Sequence, residues 1–396
     1  MINLTDEIIL NIIKINEPTT DQITLSKWTI DKYESNTGNF CSNLGRITVT
    51  YHKDQTQVDK SFFVKIPHTS SLHKYNTKYA IEQREYLMYT KIIPQIQKTN
   101  DYIFAPQFYY SDENFSLIIE DLTSSGFKSA DPIEKLDFQQ CQLVFKSLAK
   151  LHAHSVKLHK TSKLPDIFHK DTFFLSQDPT SSHLIPVFAK AFDCFLRTFD
   201  PTLIQKYSKK LYNFRTNMLK IIASEVRGND KSFKVLNHGD IWSNNIMFKY
   251  DKYGSTEQLR LIDFQLCRWA SPAFDIIHFA TTTMKFQVFD KYFDLLLEIY
   301  LETLNNTLKY FKCPTYRMED LKKDIDNISG FAMLGFTVLT PVIMAEPEDP
   351  VDLASILENP LIENKALEKA YRRRCYQDFA RQWFMYFVKK GVLTSN

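Results

Sequence analysis

The chain has 396 residues, of which 44% are hydrophobic and 24% are charged. This length exceeds what one hydrophobic core usually holds, so we expect two lobes or domains. The 49 basic and 46 acidic residues give a formal net charge of +3. This near balance excludes a large phosphate-attracting surface, and nucleic acid is therefore not an expected partner.

Cysteine usage and hydropathy indicate the compartment. The six cysteines form no C-x-x-C pair and have no histidine at metal-ligand spacing, which disfavours structural zinc and fits a reducing compartment. The N-terminus has no basic-then-apolar signal. The longest apolar stretch, 331–345, contains Gly335 and Pro341 and is too short to span a bilayer, so it predicts a buried, broken helix. We expect a cytoplasmic protein without a membrane span, and no feature indicates an obligate protein partner.

The first 121 residues have a mostly β pattern. Apolar positions at helical spacing within residues 1–30 predict a short N-terminal helix. A second helix is predicted from about residue 80 to residue 93, ending near Pro94. Strands are predicted at 46–52, 61–67, 104–110 and 115–120.

After a hinge near residues 120–124 the pattern becomes helical. Helices are predicted at 138–154, 185–225, 283–311, 317–345 and 364–390. Short strands at 235–237, 245–250 and 259–262 frame the loop 238–244. The whole pattern predicts an α+β fold with a small β-rich N-terminal lobe, residues 1–121, and a larger helical C-terminal lobe, residues 122–396.

Two segments at the junction of the lobes carry the groups that phosphoryl transfer requires. Residues 238–245, HGDIWSNN, have the kinase catalytic-loop form H-x-D-x-x-x-x-N with glycine in place of arginine. Asp263 follows Asn245 by 18 residues, at the end of an apolar run, in a D-F-Q variant of D-F-G. Asp240 is the candidate catalytic base, and Asn245 a second catalytic candidate. Asn245 and Asp263 are the candidate Mg²⁺ ligands, with ATP as the phosphoryl donor. A turn-capping Asp240 and a buried structural Asp263 are the alternatives.

A lysine in the β-rich lobe completes the candidate nucleotide site. Lys65, in the strand 61–67, matches the strand lysine that contacts the α and β phosphates in kinases. A carboxylate on the following helix should pair with it. Glu85 is the first choice because it lies in the middle of that helix, and Glu82 is the second.

Two further segments are candidates for nucleotide contacts. Residues 38–45 take the place of a glycine-rich loop, with Ser42 and Asn43 as additional donors to phosphate; an ordinary hairpin turn is the alternative. Glu120 and Asp121 end an apolar run where the linker of a two-lobe kinase would present its backbone to adenine.

The residues around the catalytic loop have simpler expected roles. His238 should organise the loop backbone, and Gly239 should permit a tight backbone path. Asp275 is expected to cap a helix, with a contact to the catalytic loop as the alternative. His152 and His154 are expected to pack or form hydrogen bonds within a helix.

These segments resemble the ecdysteroid kinase-like proteins, a branch of the choline and aminoglycoside kinase-like superfamily. Residues 236–250, LNHGDIWSNNIMFKY, closely resemble that family's catalytic loop. Residues 262–265 with Arg268, 271–273 and Asp275 resemble its next signature. Weaker matches are 63–65, 85–89 with 93–94, 120–122 with 126–127, and 148–149 with 152–155. The resemblance covers about residues 35–280.

The resemblance implies a protein-kinase-like fold and ATP-dependent phosphorylation of a hydroxyl on a small lipophilic molecule, such as an ecdysteroid or a xenobiotic alcohol. The phosphate loop is glycine-poor, as is common in this branch. Ser243 has no equivalent in protein kinases of the H-R-D-L-K type, and no A-P-E-like segment follows Asp263; both points disfavour a protein substrate. Two alternatives remain: a choline, ethanolamine or aminoglycoside type of kinase, and a pseudokinase that binds without turnover. The presence together of Lys65, Asp240, Asn245 and Asp263 disfavours the pseudokinase.

Overall fold

A five-stranded antiparallel sheet with one helix packed on it forms the first part of the fold. The computed structural model describes residues 2–17, 22–32, 42–67, 79–98, 102–170, 184–227, 232–345, 351 and 365–390. Helix α1, Asp6–Asn16, begins after Thr5, whose side-chain oxygen accepts a hydrogen bond from the Ile8 N–H. The strands are β1 Ile23–Lys32, β2 Ser42–Lys53, β3 Thr56–Pro67, β4 Phe108–Ser111 and β5 Leu117–Glu120, in the spatial order β1-β2-β3-β5-β4.

Helix α1 covers one face of this sheet. Its buried residues Ile9, Ile12 and Ile13 recur at helical spacing and pack in the same cluster as Val49 and Phe62. The predicted short N-terminal helix is therefore confirmed.

Strand β1 was missed, although it lies largely within the first 30 residues. Its side chains are mostly exposed. It is held by antiparallel pairing with β2, and local periodicity does not show this partner. Ser42 to Gly45 are also part of β2 instead of a loop, since Ser42 pairs with Pro67 and Gly45 with Val64. Residues 38–41 of the expected phosphate loop lie outside the described residues.

The helical segment between β3 and β4 is longer than predicted. Helix α2, Ile81–Leu87, continues through a π turn, Met88–Ile92, into α3, Ile93–Gln97. The prediction that it ends near Pro94 is wrong. Pro94 lies in the first turn of α3, where a missing N–H is tolerated because the preceding π turn has already shifted the hydrogen-bond pattern.

Helices dominate the second part of the fold. Helix α4, Phe138–Ser162, begins with a capping box between Asp137 and Gln140 and packs along α8. The other helices are α5 Leu184–Leu196, α6 Pro201–Arg227, α7 Ala273–Thr283, α8 Phe286–Tyr310, α9 Met318–Asp326, α10 Ser329–Leu334, α11 Thr340–Ile343, α12 Lys365–Arg372 and α13 Arg374–Lys389. A buried π turn, Gly335–Leu339, joins α10 to α11, as expected for a buried helix with a break.

Short strands carry the loops on which the candidate site is built. They are β6 Lys128–Ser129, β7 Val235–Asn237, β8 Ile246–Tyr250, β9 Thr256–Leu261 and β10 Arg268–Ala270. Strand β7 pairs with β10, and β8 lies between β6 and β9. The Leu261 N–H donates to the Phe104 carbonyl at 2.7 Å, so the segment before β4 is tied to the helical part.

The architecture confirms the predicted α+β fold, with a small β-rich lobe followed by a larger helical lobe. Helices α2 and α3 share the core of the helical lobe, whereas α1 and most of the sheet have their own core. The division into residues 1–121 and 122–396 stays a prediction. Within the described ranges, no single helix meets the length and hydropathy of a membrane span; by length and composition only the bent pair Met318–Asp326 and Ser329–Ile343, at 60°, could do so.

Candidate active site

The loop between β7 and β8 places Asp240 beside Asn245. The Asn245 amide nitrogen donates to the Asp240 backbone carbonyl at 2.9 Å and to its Oδ2 at 3.0 Å. The Trp242 indole N–H also donates to Oδ2, at 3.3 Å. The carboxylate of Asp240 is 22% exposed, whereas Asn245 is buried. The loop therefore fixes Oδ2 of Asp240 through two hydrogen bonds. Neither of these donors contacts the other carboxylate oxygen, Oδ1.

A buried carboxylate beneath the loop holds its backbone. Asp275 accepts hydrogen bonds from the His238 N–H at 2.7 Å, the Gly239 N–H at 2.9 Å and His152 Nε2 at 3.1 Å. Burial raises the pKa of Asp275, but the His152 hydrogen bond and the other neighbours outweigh it, so the pKa lies below its ordinary value. The predicted helix-capping role is wrong, because Asp275 lies inside α7, after Pro272 at the cap. The alternative, a contact to the catalytic loop, is correct.

The two residues at the start of the loop behave as predicted. His238 Nε2 donates to the Ile262 carbonyl at 3.0 Å, and its Nδ1 accepts the Asp240 N–H at 3.4 Å. Burial lowers the pKa of His238, in keeping with a neutral ring. Gly239 has φ of 85°, and a Cβ there would lie 2.1 Å from the Leu266 carbonyl oxygen. Only glycine permits this close approach of the two loops.

Lys65 lies between two carboxylates that belong to different elements. Its Nζ is 2.7 Å from Glu85 Oε2, on α2, and 2.5 Å from Asp263 Oδ1, which follows β9. Burial lowers the pKa of Lys65, but the two carboxylates outweigh it and the pKa rises. Burial also raises the pKa of Glu85, to about 6. The predicted pairing of Lys65 with Glu85 is present, and Asp263 joins it.

Helix α2 is fixed against the helical lobe by the residue next to Glu85. The buried Arg84 guanidinium donates to the Cys267 carbonyl at 2.9 Å and to the Lys170 carbonyl at 3.1 Å. Four residues after Glu85, the ring of Tyr89 meets Phe264 edge to face, with centroids 5.6 Å apart. The same Phe264 ring lies 4.9 Å from His238. This aromatic contact connects the helix that holds Glu85 with the loop that holds Asp240.

Asp263 and Asn245 are connected through the backbone. The Ile262 N–H donates to the Asn245 carbonyl at 3.0 Å, so the residue before Asp263 is hydrogen bonded to Asn245. Asp263 has φ of 67°, in the left-handed region, which directs the chain into a 3₁₀ turn. The Gln265 amide donates to Asp263 Oδ2 at 3.1 Å.

The two candidate phosphate donors on β2, Ser42 and Asn43, differ in their surroundings. Ser42 is buried and lines a cleft with Lys65, Glu85 and Gln265. Asn43, the next residue of β2, is exposed.

The linker side chains are engaged within the protein. Asp121 is buried and accepts from Ser61 at 2.7 Å and from Arg46 at 2.9 Å. Glu120 accepts from the Ser125 hydroxyl at 2.7 Å. Any contact of this linker with a base would therefore involve its backbone.

Three side chains at the site were not among the predicted site residues. Trp242 and Gln265 orient the carboxylates of Asp240 and Asp263, respectively. His278, on α7, has its Nε2 3.6 Å from Asp240 Oδ1. Trp242 and Gln265 lie within the two motif segments, 238–245 and 262–265. Their closeness in sequence to Asp240 and Asp263 could therefore have identified them. His278 lies 38 residues from Asp240, and only the packing of α7 brings it there.

The chain is similar to one known protein family in sequence and to solved phosphotransferases in structure. The sequence model of the ecdysteroid kinase-like family matches residues 36–313, about seven tenths of the chain. No protein of curated function matches the sequence. Among solved structures, the GDP complex of an aminoglycoside 2′-phosphotransferase-IIIa mutant is similar at 11% identity and a TM-score of 0.40, covering 98% of this chain and 99% of that chain. The wild-type GDP complex has 11% identity and a TM-score of 0.43, covering 96% and 100%.

The family match includes every predicted site residue, from Ser42 to Asp263. It also extends across both lobes, from β2 to the end of α8. The observed order of a β-rich lobe followed by a helical lobe agrees with the fold that the resemblance implied. The chain belongs to the ecdysteroid kinase-like family.

Proposed function

We propose that this protein is an ATP-dependent phosphotransferase that phosphorylates a hydroxyl of a small lipophilic molecule, such as an ecdysteroid or a xenobiotic alcohol. Family membership supports a small-molecule kinase. The specific residues of the site support turnover over a purely binding role, because the chain has Lys65, Asp240, Asn245 and Asp263 together.

One observation carries this proposal. Asn245 and Trp242 both donate to Oδ2 of Asp240, which leaves Oδ1 as the oxygen that can accept a proton. In the proposed reaction the acceptor hydroxyl donates its proton to Oδ1 while its oxygen bonds to the γ-phosphorus, and the bond to the leaving ADP breaks. A fixed carboxylate holds the hydroxyl in line for this step.

The donor set fits magnesium. The Asn245 amide nitrogen is occupied by Asp240, so its Oδ1 is the atom that remains for a metal. Asp263 would contribute a carboxylate oxygen, although its Oδ1 also accepts from Lys65 and its Oδ2 from Gln265. Mg²⁺ prefers a few oxygen ligands and completes its shell with phosphate and water, so two protein ligands suffice. Bound there, Mg²⁺ would neutralise charge on the phosphates.

Lys65 and Ser42 supply the phosphate side of the proposed site. The Lys65 ammonium is kept charged by Glu85 and Asp263. Ser42 lines the same cleft and offers a hydroxyl donor. Glu120 and Asp121 would contribute main-chain groups to the adenine, and Asn43 is the weakest candidate because it is exposed.

The described cysteines are all thiols, which supports a cytoplasmic setting.

The proposal is tested by detecting a phosphorylated product. Purified protein is incubated with MgATP and a panel containing an ecdysteroid, choline, an aminoglycoside and simple xenobiotic alcohols, and products are analysed by mass spectrometry. Asp240→Asn should lower the rate by about 10²–10⁴-fold, and Asp290→Asn, at an exposed site on α8, should not change it. Equal rates for Asp240→Asn and wild type would contradict a catalytic role. Turnover of only choline or the aminoglycoside would contradict a lipophilic acceptor.

A further inference from the structure

A buried histidine lies beside the carboxylate of the proposed catalytic base, Asp240. His278 is on α7, is 5% exposed, and has its Nε2 3.6 Å from Asp240 Oδ1. This distance is slightly longer than a hydrogen bond, and catalytic hydrogen bonds are often long before substrate binds and shorten in the reacting complex. A small rotation of either side chain would bring the two atoms into hydrogen-bond contact.

The Nε2 atom of His278 needs such a partner. It is buried, and it has no hydrogen bond within the part of the chain that the structure describes. A buried polar atom without a partner is costly, and native proteins rarely contain one without a reason. The surroundings of the imidazole include the ring of Phe331, 6.2 Å away, so an aromatic side chain would fit the same space without the cost. Packing alone therefore does not account for a histidine here.

Two residues of helix α7 lie against the loop 238–240. Asp275 and His278 are three positions apart, so they lie on the same face of the helix. Asp275 holds the backbone of His238 and Gly239. His278 lies beside the side chain of Asp240, the residue that follows Gly239. The same rigid helix thus fixes the loop backbone and places a nitrogen beside its carboxylate.

The two oxygens of Asp240 therefore have different neighbours. Asn245 and Trp242 donate to Oδ2, whereas His278 is the side chain nearest to Oδ1 in the described hydrogen bonds and ion pairs. We infer that His278 is a positioning residue that keeps Oδ1 of Asp240 directed at the acceptor hydroxyl. This inference rests on the proposed function, in which Oδ1 accepts the proton.

The inference is tested with His278→Phe, which keeps a ring but removes the nitrogen, and His278→Gln, which keeps a side-chain N–H. ADP formation from MgATP is measured with ecdysone and with water as acceptors. His278→Phe should lower kcat about 10- to 100-fold, as expected for a misplaced base, with KM for ATP and acceptor within about twofold. His278→Gln should recover kcat to within about fivefold of wild type. Thermal unfolding of both variants separates misfolding from loss of positioning.

A second arm distinguishes this inference from the proposed function. In the Asp240→Asn background, His278→Phe should cause no further loss, because a residue that acts through Asp240 has nothing left to position. A fully active His278→Phe, a Gln variant as slow as the Phe variant, or a further loss in the double variant would overturn the inference, even if Asp240→Asn alone lowers the rate as proposed. A fully active Asp240→Asn would instead overturn the proposed function, and this inference with it.

Discussion

The side-chain amide of Asn245 bonds to Asp240 twice, at the backbone carbonyl and at Oδ2, with distances of 2.9 and 3.0 Å. The five-residue offset between these residues is thus a physical requirement of the loop, which must curve through one 3₁₀ turn to bring them together. This contact leaves Oδ1 of Asn245 for the proposed metal ion and Oδ1 of Asp240 for the proposed acceptor hydroxyl.

Asn245→Asp should damage both the fold and the activity. The substitution replaces a donor that serves two oxygens of Asp240 with a second carboxylate at a buried position. We expect a loss of about 1–3 kcal/mol in the free energy of unfolding, as for an unsatisfied buried group, and a fall in kcat of at least about 10²-fold. Urea unfolding and ADP formation measure the two effects. Asn244→Asp adds the same charge one residue away and should leave stability within about 0.5 kcal/mol; a similar loss in both variants would contradict the specific contact.

Lys65→Met should leave two carboxylates facing each other across the lobes. Removing one partner of a buried ion pair costs about 3–5 kcal/mol, because the remaining charge stays desolvated. Lys65 and Glu85 have side chains only 14% and 6% exposed. In urea unfolding, Lys65→Met should lose stability on this scale, and the double variant with Glu85→Gln should recover part of it. Lys322→Met breaks an exposed pair with Asp294 and should cost less than about 1 kcal/mol.

The same variant should be sensitive to pH. Burial raises the pKa of Glu85 to about 6, above its ordinary value of 4.5, so the folded state holds this proton more tightly than the unfolded chain. The contribution of Glu85 to the free energy of unfolding is therefore lost as the pH rises from about 4.5 to about 6. Without Lys65 the loss should be larger, so the stability difference between wild type and Lys65→Met should be greater at pH 8 than at pH 5. An equal difference at both pH values would contradict the assignment.

The sequence predicted the parts of the site that depend on short spacing. Asp240, Asn245 and Asp263 lie on one loop and the end of the next hairpin, so a motif can specify them. The Lys65–Glu85 pair required one further step, a side-chain contact between β3 and α2, and the order strand, lysine, helix, glutamate was enough to predict it.

Contacts that depend on tertiary packing could not be predicted in this way. His278 reaches Asp240 only because Asp275 docks α7 under the loop. Strand β1 exists because β2 pairs with it, and its own alternation is too weak to indicate a strand. The helical segment that begins with α2 continues as α3 past the expected end at Pro94, because the π turn between them shifts the hydrogen-bond pattern. In each case the deciding interaction lies outside the local window.

Asp275→Asn should loosen the catalytic loop. The buried carboxylate accepts from the N–H groups of His238 and Gly239 and from His152, and an amide offers only one acceptor oxygen. We expect a loss of about 2–4 kcal/mol in unfolding free energy and a fall in kcat, measured by urea unfolding and ADP formation. Asp251→Asn changes an exposed turn in which the carboxylate also accepts two N–H bonds, and should cost less than about 1 kcal/mol.

The pH dependence of this variant follows from the lowered pKa of Asp275. A carboxyl with a depressed pKa stabilises the fold above its ordinary value of 3.8 and loses this contribution as pH falls through the folded-state pKa. Acid unfolding of wild type should therefore be steeper than that of Asp275→Asn below about pH 4. Parallel acid-unfolding curves would show that this carboxyl is not linked to stability.

Lys135→Met should stabilise the protein at neutral and acidic pH. Lys135 is buried, its ammonium donates to the Thr282 carbonyl, and it lies 4.4 Å from the centre of the Phe379 ring. Burial lowers its pKa to about 7, so wild-type stability should rise with pH between about 7 and 10.5, where the unfolded chain binds the extra proton. Removing the charge should raise the unfolding free energy at pH 6 by about 2 kcal/mol, less than the full linkage because the carbonyl bond is lost, and should flatten the slope. Urea unfolding at pH 6, 8 and 10 measures this, with exposed Lys146→Met as the matched control. A destabilised Lys135→Met at pH 6, or an unchanged slope, would contradict the prediction.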